Sequence, residues 1–240
     1  MVEKRKADKI FKKIRTYERN AIAKVGLTGN ILYEIYKHYN EDEKEKLASL
    51  KAYRSGFPSK YRKINKRDSF REKIQSIEIE LWIFSKYLKK RYAYAIPSEK
   101  VLDVIADYSP IIEIGAGKGY WAYHLDKKGV DICCYDIYPR KSYWFQVLKG
   151  DCSILKKETR RTLLICYPFG EMAYNCALKY SGTEILYIGD THYDITADHR
   201  FKKYLLEFFN KTYEQKVPTF RSTVEQNYIQ VWERTKTTKD

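Results

Sequence analysis

The sequence predicts an α/β fold: an open, mostly parallel sheet behind a basic, helical N-terminal extension. Three observations predict it. The stretch Ile111–Tyr120 reads I-I-E-I-G-A-G-K-G-Y, an apolar strand running into glycines at alternate positions. Further short apolar runs follow at intervals that leave room for helices between them. The positive charge is concentrated ahead of all of these. Residues 1–95 hold 25 Lys/Arg against 12 Asp/Glu, a net of +13, and the remaining residues account for only +2 of the total +15. That shift and Pro97 predict a boundary between a basic helical region, 1–95, and an α/β domain, 96–240.

The extension reads as helices. Ile10, Ile14, Tyr17 and Ala21 fall on one helical face, surrounded by Lys6, Lys9, Lys12, Lys13 and Arg15, and Gly26 and Gly29 end that helix. Leu32, Ile35, Tyr36 and Tyr39 begin a second amphipathic stretch that ends before Gly56 and Pro58. Phe70, Ile74, Ile77, Leu81, Phe84 and Leu88 recur at alternating steps of four and three, which predicts a helix with its stripe buried against the neighbouring domain. The segment between, Lys60-Tyr61-Arg62-Lys63-Ile64-Asn65-Lys66-Arg67, reads as a basic loop holding an aromatic.

In the second region, Ile111–Ile114 is the first strand. Gly115, Gly117 and Gly119 allow a tight turn and leave the main chain bare for close approach by a ligand. Trp121 and Leu125 then mark an amphipathic helix, completing a βα unit of the kind that binds ligands at the carboxyl ends of its strands. Ile132–Tyr135 is a second strand ending at Asp136, which lies 136 − 115 = 21 positions after Gly115 and near the offset of a ribose-binding acid. Trp144–Leu148 is a third strand candidate, running into Gly150-Asp151. Thr162–Cys166 and Ile185–Ile188 are the fourth and fifth. Val217–Phe220 and Tyr228–Trp232 form a closing pair.

The dinucleotide fingerprint would place a glycine at position 120, where Tyr120 stands. With E-x-G-x-G-x-G in its place, the sequence resembles the class I S-adenosylmethionine-dependent methyltransferases over roughly residues 95–234. A-I-P (95–97), G-Y-W-A-Y (119–123) and T-A-D (196–198) also look like a poorly characterised methyltransferase-like group of microbes, fungi and large viruses. The resemblance implies a seven-stranded, mostly parallel methyltransferase (Rossmann-like) sheet closed by an antiparallel pair, with S-adenosylmethionine as cofactor. It implies that Gly115, Gly117 and Gly119 cradle the cofactor and that Asp136 receives its ribose hydroxyls. Asp151 would lie near the adenine amino group, and Glu113 would meet the cofactor's amino group directly or through water. Each has a structural alternative. The glycines serve as turn residues in any α/β domain, Asp136 could cap a helix or sit in a loop, and Asp151 before Ser153 is an ordinary helix start.

Chemistry is expected after strands four and five. Base-amine methylating enzymes carry a polar residue, two prolines and an aromatic after strand four; this chain has Cys166-Tyr167-Pro168-Phe169. Pro168 and Phe169 match that pattern, Cys166 and Tyr167 do not, and Cys166 precedes the proline rather than following it, so a cysteine-nucleophile mechanism is not supported. Phe169 could equally be core. After strand five, His192 is a candidate general base or substrate-orienting residue. His38, His124 and His199 read as helix residues.

Basic residues release counterions from phosphates, so Lys60, Arg62, Lys63, Lys66 and Arg67 are candidate nucleic-acid contacts, against the alternative of a solvated face. Lys86, Lys89, Lys90 and Arg91 suit the end of a helix dipole. An apolar content of 44% supports a packed core, and no apolar run approaches membrane-spanning length. Five cysteines with no C-x-x-C pair read as reduced, buried thiols in a cytoplasmic protein, with no metal site. Three functions fit. The first is a methyltransferase acting on RNA or DNA held by the basic helices. The second is a catalytically eroded methyltransferase-fold module that binds nucleic acid or a partner subunit. The third is a small-molecule or protein methyltransferase with incidental positive charge.

Overall fold

The computed structural model describes residues 2–54, 56, 64–140, 144–158, 160–190, 195–220 and 227–235. The chain forms two compact units, Met1–Arg91 with Thr219–Val224, and Tyr92–Pro218 with Glu225–Asp240.

The first unit is helical: α1 Val2–Val25, α2 Ile31–Asp42, α3 Lys44–Arg54 and α4 Ile64–Arg91. Gly26 ends α1 in the left-handed region (φ 73°), a conformation only glycine adopts without cost. The Asn30 side chain caps α2 by accepting the Tyr33 N–H. The second amphipathic stretch breaks into two helices around Glu43, where no glycine or proline signals a stop. Ile64–Arg67, expected as loop, already belong to α4. The apolar stripe of α4 is buried, and it meets rings of its own unit: Phe84 packs against Tyr17, Tyr39 and Phe220.

The second unit is a seven-stranded sheet in the order β3-β2-β1-β4-β5-β7-β6. The strands are β1 Ile111–Ile114, β2 Ile132–Asp136, β3 Leu148–Lys149, β4 Thr162–Cys166, β5 Glu184–Asp190, β6 Phe209–Lys216 and β7 Asn227–Arg234. Strands β1 to β5 run parallel, and β7 is antiparallel to both β5 and β6. Helices α5 Glu99–Ala106, α6 Tyr120–Lys127, α7 Met172–Lys179 and α8 His199–Phe208 cover its faces. Central strands β1 and β4 are buried on both faces and so read as near-continuous apolar runs.

Two strands differ from expectation. The third is only Leu148–Lys149, pairing with Tyr135 and Asp136; Trp144 instead packs edge-on against Tyr120. The first strand of the closing pair is Phe209–Lys216, not Val217–Phe220, because α8 passes directly into an edge strand whose residues after Phe209 are exposed or half-exposed. Of the cysteines, Cys134 and Cys176 are buried, whereas Cys133, Cys152 and Cys166 are partly exposed; all five are free thiols. No helix among the described residues is long and apolar enough to cross a membrane.

Candidate functional site

Strand order reverses at β1: the chain lays β2 and β3 on one side of it and β4 onward on the other. The carboxyl ends of β1 and β4 therefore border a crevice, the usual ligand position in an open α/β sheet.

On the β1–β2 side, Gly115, Gly117 and Gly119 all have positive φ, 80°, 58° and 68°. Their roles differ. A Cβ on Gly115 would lie 2.3 Å from Met172 Cε, and one on Gly119 would lie 2.9 Å from Phe145 Cβ. Gly119 is needed for packing as well as for the turn, whereas at Gly115 the neighbour is the movable end of a methionine and the positive φ alone favours glycine. A Cβ on Gly117 would meet nothing within 4 Å, so this glycine faces open space. The Gly117 N–H donates to Asp136 Oδ2 at 3.0 Å, and Asp136 Oδ1 accepts the Tyr138 N–H at 2.8 Å. The loop and the acid ending β2 are thus fixed together, with the carboxylate partly exposed beside the open side of the loop.

Glu113 lies on β1 just behind the glycines. It is 2% exposed, and its Oε2 has no hydrogen-bond partner among the described residues. Burial, with a contribution from the Asp136 charge, pushes its carboxyl up to about 8, so at neutral pH it holds its proton. An unpaired polar atom at that depth costs about 1–3 kcal/mol. Asp151, by contrast, is exposed and accepts the Ser153 N–H at 2.8 Å, capping the 3₁₀ turn Cys152–Lys156. It does the work of the helix-start alternative.

On the β4–β5 side, Tyr167 follows β4 with φ 53°, the one non-glycine residue of positive φ among those described. Its N–H donates to Ile188 O at 2.7 Å, which holds a conformation costing about 1–3 kcal/mol. Pro168 is buried. Phe169 is 57% exposed, so it is not core. Its ring stands edge-on to Tyr94 at 5.2 Å, and Tyr94 is stacked on Tyr167 at 5.2 Å. Tyr94 was not foreseen: it lies before α5, far along the chain from Phe169. Burial, followed by the Glu113 carboxyl, drives the Cys166 thiol well up, so it carries no nucleophilic thiolate.

At the end of β5, Asp190 is fully buried and pairs in register with Asn227 of β7. Neither side-chain amide atom of Asn227 has a partner among the described residues. Thr196, the first residue of T-A-D, bonds the Asp190 N–H at 2.8 Å, and Asp198, its last, caps α8 at Phe201. His192 lies outside the described residues, as do Lys60, Arg62 and Lys63. Lys66 and Arg67 stand in the first turn of α4, where the backbone alone is described. His38, His124 and His199 are helical, and burial lowers His124 to about 4, leaving a neutral ring. Among the described residues no cluster of His, Cys, Asp or Glu could hold a metal ion.

No family model matches the chain, and no curated protein matches it. Several solved structures are similar at low identity. TehB from Haemophilus influenzae shares 13% identity, with 63% of this chain and 67% of that one covered and a TM-score of 0.42. Magnesium protoporphyrin IX methyltransferase from Synechocystis PCC 6803, with bound SAH, shares 11%, covering 84% and 98%, at 0.42. The 1,6-didemethyltoxoflavin-N1-methyltransferase of Burkholderia thailandensis, with bound S-adenosylhomocysteine, shares 11%, covering 57% and 76%, at 0.43. Likeness this distant carries no substrate. The strand order does carry a fold: five parallel strands with the doubling-back at β1, closed by an antiparallel β7 inserted between β5 and β6, make this chain's second unit a Rossmann-like methyltransferase fold.

Proposed function

We propose that the protein is an S-adenosylmethionine-dependent methyltransferase, and that the basic N-terminal helices hold its substrate, a nucleic acid. The observation that carries the reading is the pairing of Gly117, which faces open space, with the Asp136 carboxylate beside it. The residues fit the cofactor. The Gly115–Gly119 turn would lie against its main body, Asp136 would accept from the ribose hydroxyls, and the unsatisfied Oε2 of Glu113 would meet the cationic amino group. Asp151, exposed at the end of β3, would lie near the adenine amino group. The cofactor supplies an electrophilic methyl group on a sulfonium.

The chain's own residues do the rest. Methyl transfer needs in-line approach and a place for the nucleophile's proton. Phe169 and Tyr94 offer exposed ring faces to a planar group at the end of β4, and Pro168 stiffens the turn that presents them. His192 is the proposed base. The eroded-module reading is favoured by one feature, Cys166 where a polar residue would hold a substrate amine.

Calorimetry tests the cofactor. Gly117→Val should abolish S-adenosylmethionine binding, and Asp136→Ala should weaken it by about 1.5–3 kcal/mol. Wild-type protein that does not bind at millimolar concentration would overturn the enzyme reading. With a tritiated-methyl assay over RNA, DNA, protein and metabolite pools, His192→Ala should cut turnover by about 10²–10⁴-fold while cofactor affinity holds. Binding without any transfer would favour the eroded module.

A further inference from the structure

Helix α4 carries two stripes. At about 100° per residue, Phe70, Ile74, Ile77, Leu81, Phe84 and Leu88 share one face, and all are buried. On the opposite face, at steps of four, three, four and four, stand Gln75, Ile79, Trp82, Lys86 and Lys90. Trp82 is 56% exposed and Ile79 49%. The other three tryptophans are buried or half-buried. The Lys86 Nζ lies 4.6 Å from the Trp82 ring centroid, covering one side of the indole with a cation and leaving the rest of the ring outward.

The buried acids of the helical unit point inward and are met by cations there. Glu43 bonds Lys13 and Lys46, Glu34 bonds Lys24 and Lys37, and Glu18 bonds Arg91. Glu80 takes Lys13 and Lys46 as well. These pairs use few of the unit's cations, and residues 1–95 keep a net charge of +13, with Lys/Arg in excess. On α4 itself Glu72 and Glu78 flank the early half of the outer stripe, so the cationic half runs from Trp82 to Lys90.

We propose that this outer face of α4 is a stacking surface for single-stranded nucleic acid, with Trp82 as the base platform and Lys86 and Lys90 as phosphate contacts. The proposal deepens the substrate reading above and rests on it, but it does not need the Lys60–Arg67 segment. Aromatic platforms flanked by cations bind single strands with little regard to sequence, because every base has a π-face. A duplex hides its bases and would gain only from the lysines. Two apolar side chains are too few for a stable protein interface, which buries about 1,200–2,000 Å², or for a helix lying in a membrane surface.

The test uses the full chain and fluorescein-labelled 12-nucleotide oligo(dT) and oligo(U), with binding read by anisotropy from 50 to 200 mM salt. Trp82→Ala should weaken binding by roughly 5- to 150-fold while leaving the salt slope as in wild type, and Trp82→Phe should restore most of the loss. Lys86→Gln with Lys90→Gln should flatten the slope of log K against log salt by about 1.4, two contacts at about 0.7 each. Both sites are solvent-facing, and an unchanged circular dichroism melt confirms that the variants fold. Wild-type binding that neither variant alters would overturn this surface and leave the nucleic-acid reading standing. No wild-type binding at 50 mM salt would overturn both, whatever calorimetry shows for the cofactor. Preference for duplex, binding to anionic phosphatidylserine vesicles in place of oligonucleotide, or self-association lost in Trp82→Ala would each overturn the proposal.

Discussion

Buried carboxylates are treated in opposite ways by the two units. In the helical unit, burial alone would raise the Glu34 and Glu43 carboxyls, but hydrogen bonds from Lys37 and Lys24, and from Lys13 and Lys46, outweigh it and hold both below the usual range. In the α/β unit, Glu113 is buried with no cation, and its carboxyl rises to about 8. The difference separates two uses of a buried acid. A buried charge with its partners already in place is part of the structure. A buried acid with no cation beside it, next to an open glycine loop, is a candidate for binding a cationic group.

The largest expected effect breaks or confirms that contrast through pH. An acid with a raised folded pKa binds its proton more tightly in the folded chain. Stability therefore falls as pH rises from about 4.5, where the unfolded carboxyl ionises, to about 8, where the folded one does. Glu113→Gln should lack this fall. At pH 8.5 it should be more stable than wild type by on the order of 3–5 kcal/mol, and nearly equal to it at pH 4. Urea midpoints at the two pH values measure this; identical pH profiles would show that Glu113 already has a partner. The same group gives a binding signature. If a cationic amine meets Glu113, S-adenosylmethionine binding at pH 7 should release close to one proton. Calorimetry in buffers of different ionisation enthalpy would show it in wild type and not in Glu113→Gln.

Glu43→Gln should behave in the reverse sense. Its lowered pKa contributes stability that is present above pH 4.5 and lost as pH falls through the folded value. At pH 7 the loss should be about 1–3 kcal/mol, less than for a fully enclosed pair because Lys13 and Lys46 remain partly exposed. A variant as stable as wild type at pH 7 would mean that the acid network is not what holds α1, α3 and α4 together. The smallest effect contrasts the two edges of the α/β unit. Tyr94→Ala removes a stacked and an edge-on ring contact, costing about 0.5–1.5 kcal/mol in the thermal melt. Cofactor affinity should not change, since the glycine loop is untouched. A drop in that affinity would merge the two edges into one site.

Features carried by neighbouring residues were legible in the sequence. The I-I-E-I-G-A-G-K-G turn, Asp136 at the end of its strand, the α4 stripe and strand β4 at Thr162–Cys166 all announce themselves by local period and glycine placement, because backbone conformation and side-chain period are local properties. The two misplaced strands are edge elements. β3 is two exposed residues long, and β6 is polar at all positions but Phe209 and Tyr213, with no turn residue between it and α8. An edge strand is fixed by pairing on one side only, so its own sequence need not be apolar.

The chain by itself determined the α/β class, the glycine turn and the acid that ends the next strand, and the split of charge between its halves. Tertiary structure decided which glycine faces open space, that Glu34 and Glu43 meet lysines while Glu113 meets no cation among the described residues, and that Tyr94 meets Tyr167 and Phe169. It also placed Thr219–Val224 with the helical unit, with Phe220 among Tyr36, Tyr39 and Phe84. Each of these depends on residues distant in sequence arriving at one place, and the sign of a buried acid's pKa depends on whether one of the arrivals is a lysine.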